Sequence, residues 1–194
     1  VGLFIYLSSA AVYGDPVRLP VDENHPTDPL SPYGLSKLMG EEVARFFSRL
    51  GLKHVVLRLF NVYGLGQNAA YAGVITRFME RARKGLPSLV YGDGEQTRDF
   101  IHVEDVAQAV ELAITTRCLN QVFNIGTGKP VRIRDLAVLV MRLHGVEGEP
   151  VYAAKRPGDI KHSYADVSKA RILLGFEPRI GLEEGLKKLM QEAC

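Results

Sequence analysis

Tryptophan is absent from this 194-residue sequence, and cysteine occurs only twice. Cys118 and Cys194 lie far apart, and neither belongs to a Cys-x-x-Cys or Cys/His pattern, which argues against a redox pair or a zinc site. Both are expected as free thiols in a reducing cytoplasm. The histidines His25, His54, His102, His144 and His162 show no paired ligand spacing, so no metal is expected. No apolar run reaches the ~18 residues that a transmembrane helix needs, and no basic stretch leads into an apolar one as in a signal peptide. The expectation is a cytosolic protein with no membrane partner. Charge of one sign is lacking as well: Lys and Arg total 24 against 22 Asp and Glu, a formal net charge of +2. That balance gives no reason to expect a nucleic-acid partner, and any basic site must be local.

What is present is an ordinary globular composition, 46% hydrophobic and 24% charged, enough for one large domain or two small ones. The chain opens on Leu3-Phe4-Ile5-Tyr6-Leu7, a continuous apolar run of the kind found in a strand buried on both faces of a parallel sheet. A proline-rich loop follows (Pro16, Pro20, Pro26, Pro29), and Ser31-Pro32 then offers a cap and a first-turn proline for a helix running to about Leu50, with Gly51 placed to end it. His54 to Leu59 reads as a second strand. Strand, helix, strand is a βαβ unit and predicts an α/β fold with parallel pairing.

Beyond it the pattern predicts a helix from Val74 to about Lys84, a strand at Leu89-Val90-Tyr91 and an Asp93-Gly94 turn, a common hairpin signal. Helices are expected at Val103–Thr116, from Ile133 to the Gly145 cap, at Val167–Leu174 and at Leu182–Met190, and a strand at Val122–Ile125. Regular βα alternation gives way near Tyr63-Gly64. We therefore divide the chain into residues 1–63 and a mixed α/β substrate-binding region, 64–194, some of whose segments return to the first sheet. Gly126-Thr127-Gly128 follows a strand but lacks the third glycine and the helix of a dinucleotide loop, and it is expected to be a turn.

Tyr33 and Lys37, four apart on the first helix, share a face about one turn apart. A phenol titrates near pH ~10, and a neighbouring ammonium stabilises phenolate, so Lys37 is expected to lower the Tyr33 pKa. The spacing alone is weak, since roughly half of chains with this composition contain it by chance. Ser8-Ser9-Ala10-Ala11-Val12-Tyr13-Gly14 strengthens it by placing hydroxyls directly after the opening strand, where α/β folds bind ligands.

Taken in order and spacing, this segment, Pro32-Tyr33-Gly34-x-Ser36-Lys37 and Arg58-Leu59-Phe60-Asn61-Val62-Tyr63-Gly64 resemble the active-site run of the extended short-chain dehydrogenase/reductase family, most of all its NAD-dependent UDP-sugar 4-epimerases. The resemblance continues through Gly92-Asp93-Gly94-x-Gln96-x-Arg98-Asp99-Phe100-Ile101-His102-Val103-x-Asp105-Val106, Asn124 to Gly128, Arg156-Pro157-Gly158-Asp159, Ala165-Asp166-x-Ser168-Lys169-Ala170 and Leu174-Gly175-Phe176-x-Pro178. It implies that residues 1–63 end a Rossmann-type doubly wound parallel sheet, that the cofactor is NAD and that the substrate is a UDP-sugar. It also implies roles: Ser9 binds the sugar 4-hydroxyl, Tyr33 is the acid/base, Lys37 holds the nicotinamide ribose, and Phe60 lies near the nicotinamide. Asn61, Arg98 and Arg156 would grip the diphosphate. Asp159 would bind the nucleotide ribose or position Arg156, the backbone around Tyr91 would meet the base, and small Ser163 would leave the sugar pocket open to a 2-acetamido group.

By the same resemblance a homodimer is expected, with the Tyr33 and Val74 helices as candidate contacts. The family's Gly-x-x-Gly-x-x-Gly loop is not in this sequence, so a complete NAD site is not expected from these residues alone. Two alternatives remain open. One is a 4,6-dehydratase or decarboxylase of the same family, disfavoured because Ala10-Ala11 stands where dehydratases carry an Asp-Glu pair. The other is a sugar-nucleotide-binding module without catalysis.

Overall fold

The computed structural model describes residues 1–67, 73–156 and 158–192, Glu192 by its backbone alone. Cys194, expected as a free thiol, lies outside the described residues, as does Pro157; Cys118 is a free thiol.

Three strands form the main sheet: β1 (Phe4–Ser9), β2 (His54–Leu59) and, after several intervening elements, β7 (Gln121–Ile125). All pair in parallel in the order β1-β2-β7, with Ser8 opposite Arg58 and Arg58 opposite Asn124. The middle strand β2 is buried along its first five residues, which is why its sequence is apolar without alternation. Helix α1 (Pro32–Ser48) crosses between β1 and β2. Ser31 caps it, its side chain accepting from the Gly34 amide at 3.0 Å, and Pro32 occupies a first-turn position where its missing N–H costs nothing.

The remaining elements are β3 (Asn61–Tyr63), α2 (Val74–Ala82), β4 (Leu89–Tyr91), β5 (Thr97–Arg98), β6 (Phe100–His102), α3 (Val103–Thr115), β8 (Val131–Arg132), α4 (Ile133–Leu143), β9 (Val151–Ala153), α5 (Ser168–Leu174) and α6 (Leu182–Glu192). The long helices stand within a few residues of their predicted bounds. The Asp93-Gly94 turn forms, with the Asp93 side chain accepting from the Glu95 amide, but it does not make a hairpin. Instead β4 pairs in parallel with β9, and β5 pairs antiparallel with β8.

Three cores hold these pieces. One lies between the main sheet and helices α3 and α5, around Leu57, Phe123, Ala109 and Phe176. A second joins α2, α4 and α6 around Phe78, Leu136 and Leu186. The third is small and sits beneath the carboxyl end of β1, around Val12, Tyr13, Phe60 and Ala165. Burying each such side chain contributes about 1.5–3 kcal/mol. Helix α2, a candidate dimer helix by resemblance, spends Ile75, Phe78, Met79 and Ala82 on the second core. Helix α1 keeps Leu35, Met39, Val43 and Phe46 exposed.

Candidate active site

The candidate catalytic residues lie on and beside β1. After Ser9 the chain turns into one 3-10 turn, Ala10–Tyr13, and the Ser9 side chain accepts from the Ala11 amide at 3.2 Å. Gly14 leaves that turn at a φ of +66°, and a Cβ there would collide with the Asp28 carbonyl. Gly34 has a different use: its absent Cβ would lie 2.6 Å from the Ala11 carbonyl, so only glycine lets α1 close on the turn behind Ser9. This close approach brings the neighbouring Tyr33 to the end of β1.

Tyr33 is 57% exposed. Lys37 donates from Nζ to the Leu7 carbonyl at 2.9 Å, and the same nitrogen lies 5.7 Å from the centroid of the Tyr33 ring and 5.6 Å from that of Tyr6. The pair thus shares one helix face at the sheet edge. Phe60 is only 4% exposed and packs with Val12, Tyr13, Val21 and Val167, so most of its ring serves the third core.

A cleft of about 420 Å³ opens beside β3, β4 and β5. Asn61, Tyr91, Gln96, Arg98, Arg156 and Asp159 line it. Arg98 donates from Nη2 to Asp159 at 2.7 Å and from Nη1 to the Thr97 carbonyl at 2.8 Å. Burial pulls the Arg98 guanidinium below its ordinary pKa, an effect that the Asp159 carboxylate opposes. Arg156 lies over the Tyr91 ring, its Cζ 3.7 Å from the centroid. The adjacent guanidinium holds the Tyr91 phenol below the usual value. The Tyr91 carbonyl accepts from Gln96 Nε2 at 2.8 Å.

The Asp159 carboxylate pairs with Arg98, and the Asp159 amide donates to the Arg156 carbonyl at 3.4 Å; a backbone hydrogen bond from Thr97 to Lys161 at 2.9 Å brings the 159–163 segment alongside β5. Ser163 donates its amide to the Thr97 carbonyl at 3.2 Å, is half-buried and does not line the 420 Å³ cleft.

Several polar residues inside the quoted motifs turn out to build the site from below, although nothing in their spacing assigned them a role. Asp99 is completely buried and accepts from Thr127 N (2.8 Å), Thr127 Oγ1 (2.6 Å), Gly128 N (2.9 Å) and Ala165 N (3.1 Å). The Gly126-Thr127-Gly128 segment is therefore a turn, with its amides aimed at the protein's own carboxylate. Arg58 and Glu41 form a buried ion pair at 2.7 Å. Burial acts against the Arg58 charge, but the Glu41 hydrogen bonds outweigh it and hold the guanidinium above its ordinary pKa. Burial also pushes the Tyr13 phenol up to about 12. A charged residue inside an otherwise apolar strand, as in Val55-Val56-Leu57-Arg58-Leu59, was the available signal for such a pair.

No group of His, Cys, Asp and Glu among the described residues could hold a metal ion. No helix among them is long and apolar enough to cross a membrane.

Fold and site together define an α/β protein in which Ser9 ends a parallel strand, Lys37 of the adjoining helix bonds that strand's Leu7 carbonyl and stands beside Tyr33, and an arginine-lined cleft lies on the same chain. Residues 1–126 match the NAD dependent epimerase/dehydratase family, and the chain belongs to that family. A putative UDP-glucose 4-epimerase of Methanocaldococcus jannaschii is 44% identical over 185 residues, which cover 94% of this chain and 60% of the relative. The crystal structure of UDP-glucose 4-epimerase with UDP-glucose from Thermotoga maritima superposes with a TM-score of 0.94 at 42% identity, covering 98% of this chain and 63% of that one. The UDP-N-acetylglucosamine 4-epimerase from Methanobrevibacter ruminantium, in complex with UDP-N-acetylmuramic acid, gives 0.93 at 36% identity, covering 98% and 62%. The chain spans about three fifths of the length of the curated relatives it matches. NAD is the cofactor of the family. Tyr33 is exposed and the Lys37 ammonium lies beside its ring, so a hydroxyl and a positive charge are available there to a bound cofactor.

Proposed function

We propose that this chain supplies the catalytic residues and the nucleotide-sugar cleft of a cytosolic, NAD-dependent UDP-hexose 4-epimerase. The observation that carries the reading is Lys37, bonded to the Leu7 carbonyl of the strand that Ser9 ends and standing beside the Tyr33 ring, on the same molecule as a cleft lined by Arg98 and Arg156. NAD, when bound, supplies a hydride acceptor that takes hydrogen from C4 of the sugar and returns it to the opposite face. Tyr33 takes the proton of the 4-hydroxyl and gives it back. Ser9 accepts from the Ala11 amide, so its own hydroxyl hydrogen remains available to the sugar oxygen. Lys37 would hold the nicotinamide ribose and keep positive charge beside Tyr33, while Phe60 would lie near the nicotinamide.

Asn61, Arg98 and Arg156 bind the diphosphate, since guanidinium forks match phosphate oxygens in charge and geometry. The backbone around Tyr91 receives the base, and Asp159 holds Arg98 in place. Tight binding of the nucleotide with loose binding of the sugar lets a 4-keto intermediate turn over inside the pocket. Dehydration is disfavoured because the turn after Ser9 begins Ala10-Ala11, which carries no carboxyl group to remove water. The exposed apolar face of α1 supports a homodimer formed through that helix.

The test is interconversion of UDP-galactose and UDP-glucose by the protein carrying the glycine-rich cofactor segment. Tyr33→Phe should lower turnover on the order of a hundredfold or more while UDP affinity stays nearly unchanged, because the hydroxyl moves protons and does not hold the nucleotide. Near-normal turnover in that variant would remove Tyr33 from the mechanism.

A further inference from the structure

Helix α1 is fastened to β1 at two points one turn apart. Lys37 reaches the Leu7 carbonyl, and four residues on, Glu41 accepts a hydrogen bond from Ser8 Oγ. From β2, Arg58 then grips the same carboxylate, with Nε 3.0 and 3.2 Å from its two oxygens and Nη2 2.7 Å from Oε2. Arg58 and Ser8 are direct partners across the sheet, and both charged side chains are less than a tenth exposed. On its other side Arg58 lies 4.8 Å from the centroid of the Tyr13 ring and donates to the Glu23 carbonyl at 3.4 Å. Tyr13 donates to Asn124 Oδ1 at 2.6 Å. One polar network therefore joins α1, the three main strands and the turn after Ser9.

Stability alone gives little reason for charges here, because a buried ion pair can often be replaced by apolar residues of similar volume without loss. What a forked guanidinium adds is geometry: it accepts a carboxylate at one distance and one orientation. Glu41 stands two turns beyond Tyr33 and one beyond Lys37 on the same helix face, while Ser8 directly precedes Ser9. A slide of α1 along β1 moves Tyr33 relative to Ser9.

We propose that Glu41 and Arg58 are positioning residues for the reaction, a clamp that sets the register of α1 on the sheet and thereby the separation of the Tyr33 and Ser9 hydroxyls. The inference rests on the reading of Ser9, Tyr33 and Lys37 as the reacting set. Neither clamp residue is needed to hold the nucleotide, since the arginine-lined cleft contains neither of them.

The experiment uses the protein with its cofactor segment and the paired substitution Glu41→Leu with Arg58→Met, which keeps the space filled and leaves no charge unpaired. The expected result is a fall in kcat of about a hundredfold, the cost of a small misplacement of reacting groups, with KM for UDP-glucose and the affinity for UDP changed less than about twofold. Ser8→Ala, which leaves the ion pair intact, serves if the paired variant does not fold; it should lower kcat about tenfold with UDP affinity unchanged. Unchanged kcat in a folded variant overturns the proposal. So does loss of UDP affinity in step with kcat, which would mark the clamp as purely structural. If the parent protein itself fails to turn over UDP-glucose, the reading of the reacting set falls first and the clamp with it.

Discussion

Arg156 lies over Tyr91 at the mouth of the cleft, and this contact can be followed in solution. A guanidinium beside a phenol favours phenolate, so drawing Arg156 onto a diphosphate removes that support. UDP binding should therefore raise the Tyr91 pKa toward its ordinary value, measured by NMR titration of labelled tyrosine; an unchanged or lower value would mean that Arg156 does not move to the phosphates. Ser163 carries a second residue-level expectation. If it borders the sugar, Ser163→Tyr should cost the N-acetylated substrate about tenfold or more in kcat/KM while UDP-glucose is largely spared. Equal losses for both sugars would dismiss it as the gate. At this scale the sequence was most legible where spacing is local. Tyr33 and Lys37 share a face because a helix repeats every 3.6 residues, whereas the partner of Asp159 lies 61 positions away and depended on which strand ran beside it.

Among the elements, the turn after β7 depends on a single carboxylate. Asp99 receives three backbone amides and one hydroxyl, and Asp99→Ala would leave all four donors without that partner, the Ala165 amide buried and the other three partly buried. The expected loss is on the order of 3 kcal/mol or more by denaturant unfolding, with Asp99→Asn intermediate because an amide offers one accepting oxygen. A loss below 1 kcal/mol on that scale would show that water or rearrangement replaces the cradle. The helices were readable because their apolar residues recur over two or more turns and their ends carry Ser31-Pro32, Gly145 or Gly175. Strands β3, β5, β6, β8 and β9 were not, since two or three residues are too few to establish alternation. The Asp93-Gly94 turn illustrates the limit: a local sequence can specify a turn, but the strands it joins are free to pair elsewhere.

On the scale of the whole molecule, β1 and α1 carry the candidate residues Ser9, Tyr33 and Lys37, while β3, β4 and β5 with Arg156 and Asp159 line the cleft. Arg58, a charge inside an apolar strand, signalled a buried partner, but Glu41 was not legible as that partner because it lies 17 residues away on a different element. Hydride transfer through NAD makes one demand that no simple deprotonation at C4 shares: the hydrogen lost from C4 is the hydrogen restored there. Incubating UDP-galactose in heavy water with NAD and the protein carrying its cofactor segment, and reading the products by NMR, tests this directly. The expected result is UDP-glucose with ordinary hydrogen retained at C4; deuterium at C4, or no interconversion at all, would contradict it.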